Sequence, residues 1–435
     1  MIPSQVQSTL TLRGQLIRFE GNPFETDDAL VYERDGLIHA INGKIVHVGD
    51  APTLLQAHPE LEPESVSGIL APGFVDGHLH YPQMRVLGAY GEQLLDWLNR
   101  YTFPAELSFS DPQVCQEAAG LFVRSCISNG VTTAAAWSTV HPQSAEALFQ
   151  AASHAGMRMI TGKVLMDRNA PEGLQDTAQT GFDQSQALIQ RWHGVGRNAY
   201  AVTPRFAPTS TPEQLEAAGA LMAQDPSLYL QSHVAETQAE CAWVAELFPS
   251  MGSYLSVYAH FGLMGRRALY GHAIYLEPGD VDLLAETQTG VVHCPSSNLF
   301  LGSGLFPLHQ VRPKVRVGLG SDIGAGTHLS PLVTMGDAYK VAQLQGQSLN
   351  AAQLWWLATV GGAELLDLSE QVGNLAPGMD ADIVLLDPEI TELHRYRASH
   401  AQGIEELLFF MATCGESRMV KQTWVAGSEA APAAP

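Results

Sequence analysis

The chain has 435 residues, 46% hydrophobic and 16% charged, with 23 Lys plus Arg against 45 Asp plus Glu and a formal net charge of −22. That size and apolar content describe a globular protein with ample core; the negative field disfavours nucleic acid as a partner and leaves a small neutral substrate in a pocket open. Five cysteines without a C-x-x-C pair, no basic-then-apolar leader and no 18-residue apolar run lead us to expect a cytoplasmic protein that neither spans nor binds a membrane.

Residues 9–50 are β-rich, with Gly and Asp at the turns and little helical periodicity. From residue 68 onward, short β-branched runs alternate with longer amphipathic segments, the pattern of βα units carrying parallel strands. Eight strands are predicted, at 68–80, 130–139, 157–166, 199–208, 228–236, 268–276, 290–298 and 315–322. Helices are predicted between them, for example over 144–156 and 211–225, each with a Ser or Thr where an N-cap belongs. Eight such units close naturally into a (β/α)8 TIM-type barrel, whose chemistry lies at the C-terminal ends of the strands. A doubly wound open sheet is the competing architecture, weakened by the lack of a G-x-G-x-x-G after the first strand. Residues 373–387 return to a β-rich texture, so a small discontinuous β-sandwich is expected from residues 1–67 and 371–428, flanking a barrel at 68–370. The small, Pro-containing tail at 429–435 is expected to be disordered.

Polar residues collect where the predicted strands end. His78 and His80 close the first strand, and residues two apart on a strand share a face. With 16 His in the chain, composition alone yields about 0.6 H-x-H pairs, so the pair means little by itself. His233 ends the fifth strand with Glu236 three residues on, His272 ends the sixth, and Asp322 ends the eighth. A lone histidine is usually a satisfied core residue; four His and one Asp at matching strand ends form a constellation. Imidazole and carboxylate suit Zn²⁺, and Fe²⁺ less readily, with a coordination position left for water.

The motifs P-G-F-V-D-x-H-x-H, S-H-x-x-E, G-H, H-C-P-x-S-N and G-L-G-S-D, in that order, resemble the metal-dependent amidohydrolase superfamily. Three narrower stretches, at 94–106, 203–208 and 294–304, resemble its guanine-deaminating branch, and 373–384 is similar to the segment in which these enzymes re-enter their β-sandwich. The resemblance implies hydrolysis of guanine to xanthine and ammonia by a homodimer with one metal per chain, held by His78, His80, His233 and Asp322. It further implies that Glu236 shuttles a proton from water to the ring nitrogen and then to the leaving amine. His272 would hydrogen-bond the metal's water or ligate the metal, and Asp322 would also accept a proton. Gln83, Arg205, Phe206, His233 and Glu236 would contact the purine. A related heterocycle such as a pterin, an oxidised purine or a triazine is the alternative substrate, and a non-catalytic barrel the alternative class. Trp97 and Tyr101 form a lid face or ordinary packing, and His293 is a candidate supporting group. Cys294 reads as buried and inert, and Lys163 as structural, since the fourth strand carries Arg205 and no Lys to bridge two metals.

Overall fold

The computed structural model describes residues 8–90 and 93–430. β1 (Thr9–Phe19), β2 (Leu30–Ile41) and β3 (Lys44–Asp50) form an antiparallel meander. Its tightest turn is Asn42-Gly43, with φ of 50° and 78°, the two-residue hairpin loop for which Asn-Gly is the preferred pair. β4 (Glu64–Pro72) pairs parallel with β1 and leads directly into the barrel.

The barrel strands are β5 (Phe74–His80), β6 (Val131–Trp137), β7 (Arg158–Thr161) with its short continuation β8 (Val164–Leu165), β9 (Asn198–Pro204), β10 (Tyr229–Val234), β11 (Ala268–His272), β12 (Gly290–His293) and β13 (Val317–Leu319). Each of the eight predicted strands is present, all neighbours run parallel, and spatial order follows chain order. The seam between β13 and β5 is drawn together at its upper end. There the Asp322 N–H donates to the His78 carbonyl at 2.8 Å and the Ser321 N–H to Asp76 Oδ1 at 3.1 Å. One apolar side chain from each of seven strands (Val75, Ala135, Ile160, Ala201, Tyr229, Leu269, Val292) fills the interior, and Leu365, Leu366 and Val372 from the segment after β13 plug it from below.

The predicted helix over 211–225 appears as Pro212–Met222, capped by Thr211, whose hydroxyl accepts from the Gln214 N–H. The helix predicted over 144–156 starts earlier, at Pro142, because proline suits the first turn. Ser144 therefore lies inside it, its hydroxyl accepting from the Thr139 N–H instead of capping.

After the barrel the chain returns to the first sheet as β14 (Ile383–Leu386), β15 (Val420–Val425) and β16 (Ser428–Glu429), giving one seven-stranded path, β16-β15-β14-β4-β1-β2-β3. Strand alternation divides its faces: Leu70, Ile383 and Leu385 join a core of their own with Leu12, Ile38 and Trp424, while Ile69, Ala71, Val384 and Leu386 join the main core around the barrel. Two helices, Glu392–Ala398 and Ile404–Cys414, interrupt this return. The second is tied to the barrel's helical layer, where the Trp355 indole donates to the Leu408 carbonyl. Glu429 and Ala430 of the expected tail are ordered at the sheet edge, and residues 431–435 lie outside the described residues.

Charge fastens the two parts at the barrel's foot. Arg158 and Arg197 precede or open β7 and β9, and both reach the D-A-D turn before β14. Arg197 donates to both Asp382 oxygens, at 2.5 and 3.0 Å, and to Asp380 at 3.0 Å, while Arg158 and Lys44 also bind Asp380, at 2.9 and 2.6 Å. Burial works against the Arg197 charge, but its two carboxylate partners outweigh that and raise its pKa. The same competition leaves the Asp380 carboxyl below its ordinary value.

Candidate active site

The mouth of the barrel gathers the groups that the sequence placed at strand ends. His78 and His80 are both buried, at 2% and 3% exposure, and their Nε2 atoms lie 3.2 Å apart. His233 Nε2 lies 3.3 Å from His80 Nε2, so three imidazole nitrogens face one point. His233 Nδ1 lies 2.7 Å from the Arg205 carbonyl, which can only accept. That nitrogen therefore carries the proton, and Nε2 presents a lone pair to the centre. Asp322 Oδ1 completes the group at 3.6 Å from His78 Nε2 and 3.4 Å from His80 Nε2.

Burial lowers all three imidazole pKa values well below the usual range, with mutual repulsion among the histidines adding to it. They are neutral at physiological pH, which is the form that binds a metal ion. The donor set of three neutral imidazoles and one carboxylate, convergent and buried except for the half-buried His233, fits a divalent cation such as Zn²⁺. Cys294 lies within ligand reach of His78, His272 and Asp322, but burial holds its thiol well above its ordinary pKa, which disfavours the thiolate a metal requires.

The local sequence explains how His78 fits. Gly271 of the G-H motif and Gly320 of G-L-G-S-D flank its ring and backbone; a Cβ on either would come within 2.8 Å of a His78 atom. Asp76 accepts from the His78 and Ser321 N–H groups, which bends the strand end. Backbone strain also collects here: Ala235, His272, Ala273 and Asp322 have φ of 49°, 71°, 47° and 49°. Non-glycine residues adopt this region only when the surroundings impose it, at a cost of about 1–3 kcal/mol each.

Glu236 stands beside the metal-type cluster. Ser303 Oγ donates to its Oε1 at 2.9 Å, and its Oε2 lies 3.5 Å from His272 Nε2. Burial pushes its carboxyl up to about 7, against the opposing effect of Ser303. Asp322 is also raised to about 7 by burial, with His272 opposing and Glu236 adding to the shift. His272 Nδ1 donates to Asn298 Oδ1 at 2.8 Å, which turns its Nε2 toward the two carboxyls. Glu240 holds the turn from behind: it accepts from the N–H groups of Glu236 and Thr237 and from the Tyr254 hydroxyl.

Gln83, Arg205 and Phe206 line the same pocket as His80, His233, Glu236, His272 and Asp322, so every candidate site residue except His78 forms its wall, and the His78 ring lies 5.0 Å from that of His80. Trp97, 1% exposed, lines it together with Leu94 and Leu98. Tyr101, half-buried, is not part of that wall. Lys163 is held away from the centre by an ion pair with Asp176, which also accepts from Gln214. His293 stacks on Phe306 at 4.8 Å, and burial lowers its pKa to about 3.

Sequence reasoning missed Glu106, Glu240, Asn298 and Ser303 as individual residues. Three of them lie inside motifs it had singled out, Glu106 ending 94–106 and Asn298 and Ser303 within 294–304. What it lacked was the contact: Arg205 Nη1 donates to both oxygens of the fully buried Glu106, at 3.0 and 2.8 Å.

Comparison with known proteins gives the family. The amidohydrolase family model matches residues 69–429. The guanine deaminase of Escherichia coli strain K12 is 45% identical over 422 residues, covering 96% of each chain. A solved structure of E. coli guanine deaminase superposes with a TM-score of 0.93 over 98% of this chain and 99% of that one, at 42% identity. The guanine deaminase of C. acetobutylicum, solved with guanine in its active site, superposes with a TM-score of 0.89 over 98% of this chain and 100% of that one, at 28% identity. The fold, the convergent donor set and the match across most of the length lead to one conclusion: the chain belongs to the amidohydrolase family.

Proposed function

We propose that this protein hydrolyses guanine to xanthine and ammonia with one divalent metal ion, zinc, per chain. The observation that carries the reading is a single pocket that joins the His78–His80–His233–Asp322 donor set to Glu236, His272 and Arg205, in a chain 45% identical to a guanine deaminase over 96% of its length. His78, His80, His233 and Asp322 hold the ion, and the pairing of Lys163 with Asp176 supports a single-ion centre. When bound, such an ion supplies a strong nucleophile at neutral pH by lowering the pKa of water.

The chain's own residues do the rest. Glu236, whose carboxyl lies near neutrality, takes a proton from the attacking water as oxygen bonds to C2 of the base, and delivers it to the adjacent ring nitrogen. It then carries a second proton to the amino group, which leaves as ammonia when the C2–N bond breaks. His272, with Nδ1–H fixed on Asn298, offers its Nε2 to the same water, and Asp322 accepts hydrogen-bonded protons beside it. Phe206 flanks the flat base, and Arg205 donates to the carbonyl at C6. Five unpaired cysteines support a reducing compartment, the cytoplasm, and among the described residues no helix is long and apolar enough to cross a membrane. Ultraviolet detection of xanthine, run with the purified protein over a panel of heterocycles, tests the reading. Guanine should be the best substrate by far; a pterin or triazine consumed while guanine is untouched would overturn it.

A further inference from the structure

We propose that Glu106 sets the pocket's choice of substrate by fixing the hydrogen-bonding polarity of both Arg205 and Gln83, an inference that rests on the guanine reading above. Glu106 lies on the short helix Phe103–Leu107, is 0% exposed, and has carboxylate oxygens that only accept. Both oxygens receive Arg205 Nη1, and Oε1 also receives Gln83 Nε2 at 3.4 Å. The Phe103 ring lies 5.3 Å from the guanidinium carbon and supports it from one side.

Two consequences follow from donor and acceptor counting. Arg205 has Nη1 committed to Glu106, and among the described residues no acceptor takes its Nη2 or Nε, so those N–H groups remain for a ligand. Gln83 must turn its NH₂ toward Glu106, which leaves its Oε1 as an acceptor without a partner among the described residues. Gly324 keeps that oxygen clear, since a Cβ there would lie 2.6 Å from it. The wall therefore offers donors from Arg205 beside an acceptor from Gln83. This is the complement of a lactam edge, in which a carbonyl oxygen accepts and the neighbouring ring N–H donates. Guanine presents that edge at C6 and N1. 2-Aminopurine carries its amino group at the same C2 but has hydrogen at C6 and a bare N1. Glu106 touches neither the base nor the reacting atoms; it is a positioning residue.

The test compares guanine with 2-aminopurine, the latter as substrate or as competitive inhibitor, in wild type, Glu106→Gln and Glu106→Asp, with metal content and melting temperature measured on each. A glutamine at 106 no longer dictates which end of Gln83 faces it, so kcat/KM for guanine should fall about 30- to 100-fold, the size of one or two charge-assisted hydrogen bonds. The value for 2-aminopurine should change by less than about 3-fold, because no polar edge is lost. Glu106→Asp keeps the carboxylate and should fall between. If Glu106→Gln does not fold, Glu106→Asp must still lower the guanine to 2-aminopurine ratio. Equal losses on both substrates, or an unchanged ratio in folded and metal-loaded variants, would overturn the role of Glu106 while leaving the guanine reading standing. Wild type that consumes 2-aminopurine and no guanine would overturn both.

Discussion

The mouth and the foot of this barrel both bury charge, and they treat it in opposite ways. At the foot, Arg158, Arg197 and Lys44 meet Asp380 and Asp382 in a network where each carboxylate is paired, and at Arg197 and Asp380 pairing overcomes burial so that the charged form is favoured. At the mouth, burial wins: Glu236 and Asp322 are driven up to about 7, and His78, His80 and His233 are held neutral. Strained backbone at Ala235, His272, Ala273 and Asp322 lies there too. At one end Arg197 and Asp380 are favoured in their charged forms, and at the other burial opposes charge on Glu236 and Asp322. Function accounts for the second pattern, since a group that must give and take a proton works best with a pKa near the operating pH.

Removing the titratable carboxyl of Glu236 at the mouth should therefore cost activity and spare the fold. Glu236→Gln keeps shape and removes the titratable group, and turnover of guanine should fall about 10²- to 10⁴-fold. Metal content should persist and the melting temperature should stay at or above that of wild type, because a buried carboxyl is relieved of its desolvation; steady-state kinetics beside a thermal melt checks both.

Breaking the foot should do the reverse. Arg197→Met strands Asp382 with no guanidinium, and loss of one partner from a buried pair costs about 3–5 kcal/mol. Denaturant unfolding should show that loss. Guanine kinetics of the folded fraction should stay within a few-fold of wild type, since Arg197 touches nothing in the pocket. A large drop in kcat in folded protein would mean that the two ends are coupled.

Arg205→Ala probes the mouth residue proposed to bind the base; it also strands the buried Glu106 carboxylate, so its kinetics are read on the folded fraction. It should lose at least about 2 kcal/mol in kcat/KM for guanine. Arg205→Lys should recover little, as a point charge cannot copy the fork. Wild type should leave adenine untouched, because its 6-amino group would meet a donor.

The smallest effect is a shift in a pH profile. Glu236 must be a carboxylate to accept a proton, so kcat/KM should fall as pH drops through its pKa, at or below about 7 because a bound cation favours the charged form. The Ser303 hydroxyl donates to that carboxylate and also lowers its pKa. Ser303→Ala should move the acid limb up by about one unit or less, the range of a single hydrogen bond. An unmoved limb would assign it to another group.

These two ends also differ in how far the sequence reveals them. His78, His80, His233, His272 and Asp322 are legible because each is a polar residue at the end of an apolar strand, and eight strands in a βα rhythm imply a barrel that gathers those ends. The Asn42-Gly43 hairpin is legible for an equally local reason. Arg197 with Asp382, and Arg205 with Glu106, are separated by 185 and 99 positions, and no periodicity marks which distant carboxylate a given arginine will meet. Positive φ at His272 and Asp322 is likewise imposed by the closed barrel, since neither residue asks for it locally. Pattern locates elements and the ends of elements; partners across the fold come only from three dimensions.

The central claim is that one ion at the mouth, held by four residues, supports deamination of guanine. Its most direct test is a titration in which chelated, metal-free protein is given back Zn²⁺ in sub-stoichiometric steps while xanthine formation is followed. Turnover should be absent at the start, rise linearly, and level off at one equivalent per chain. Full turnover after chelation, or a rise that continues to two equivalents, would contradict the account.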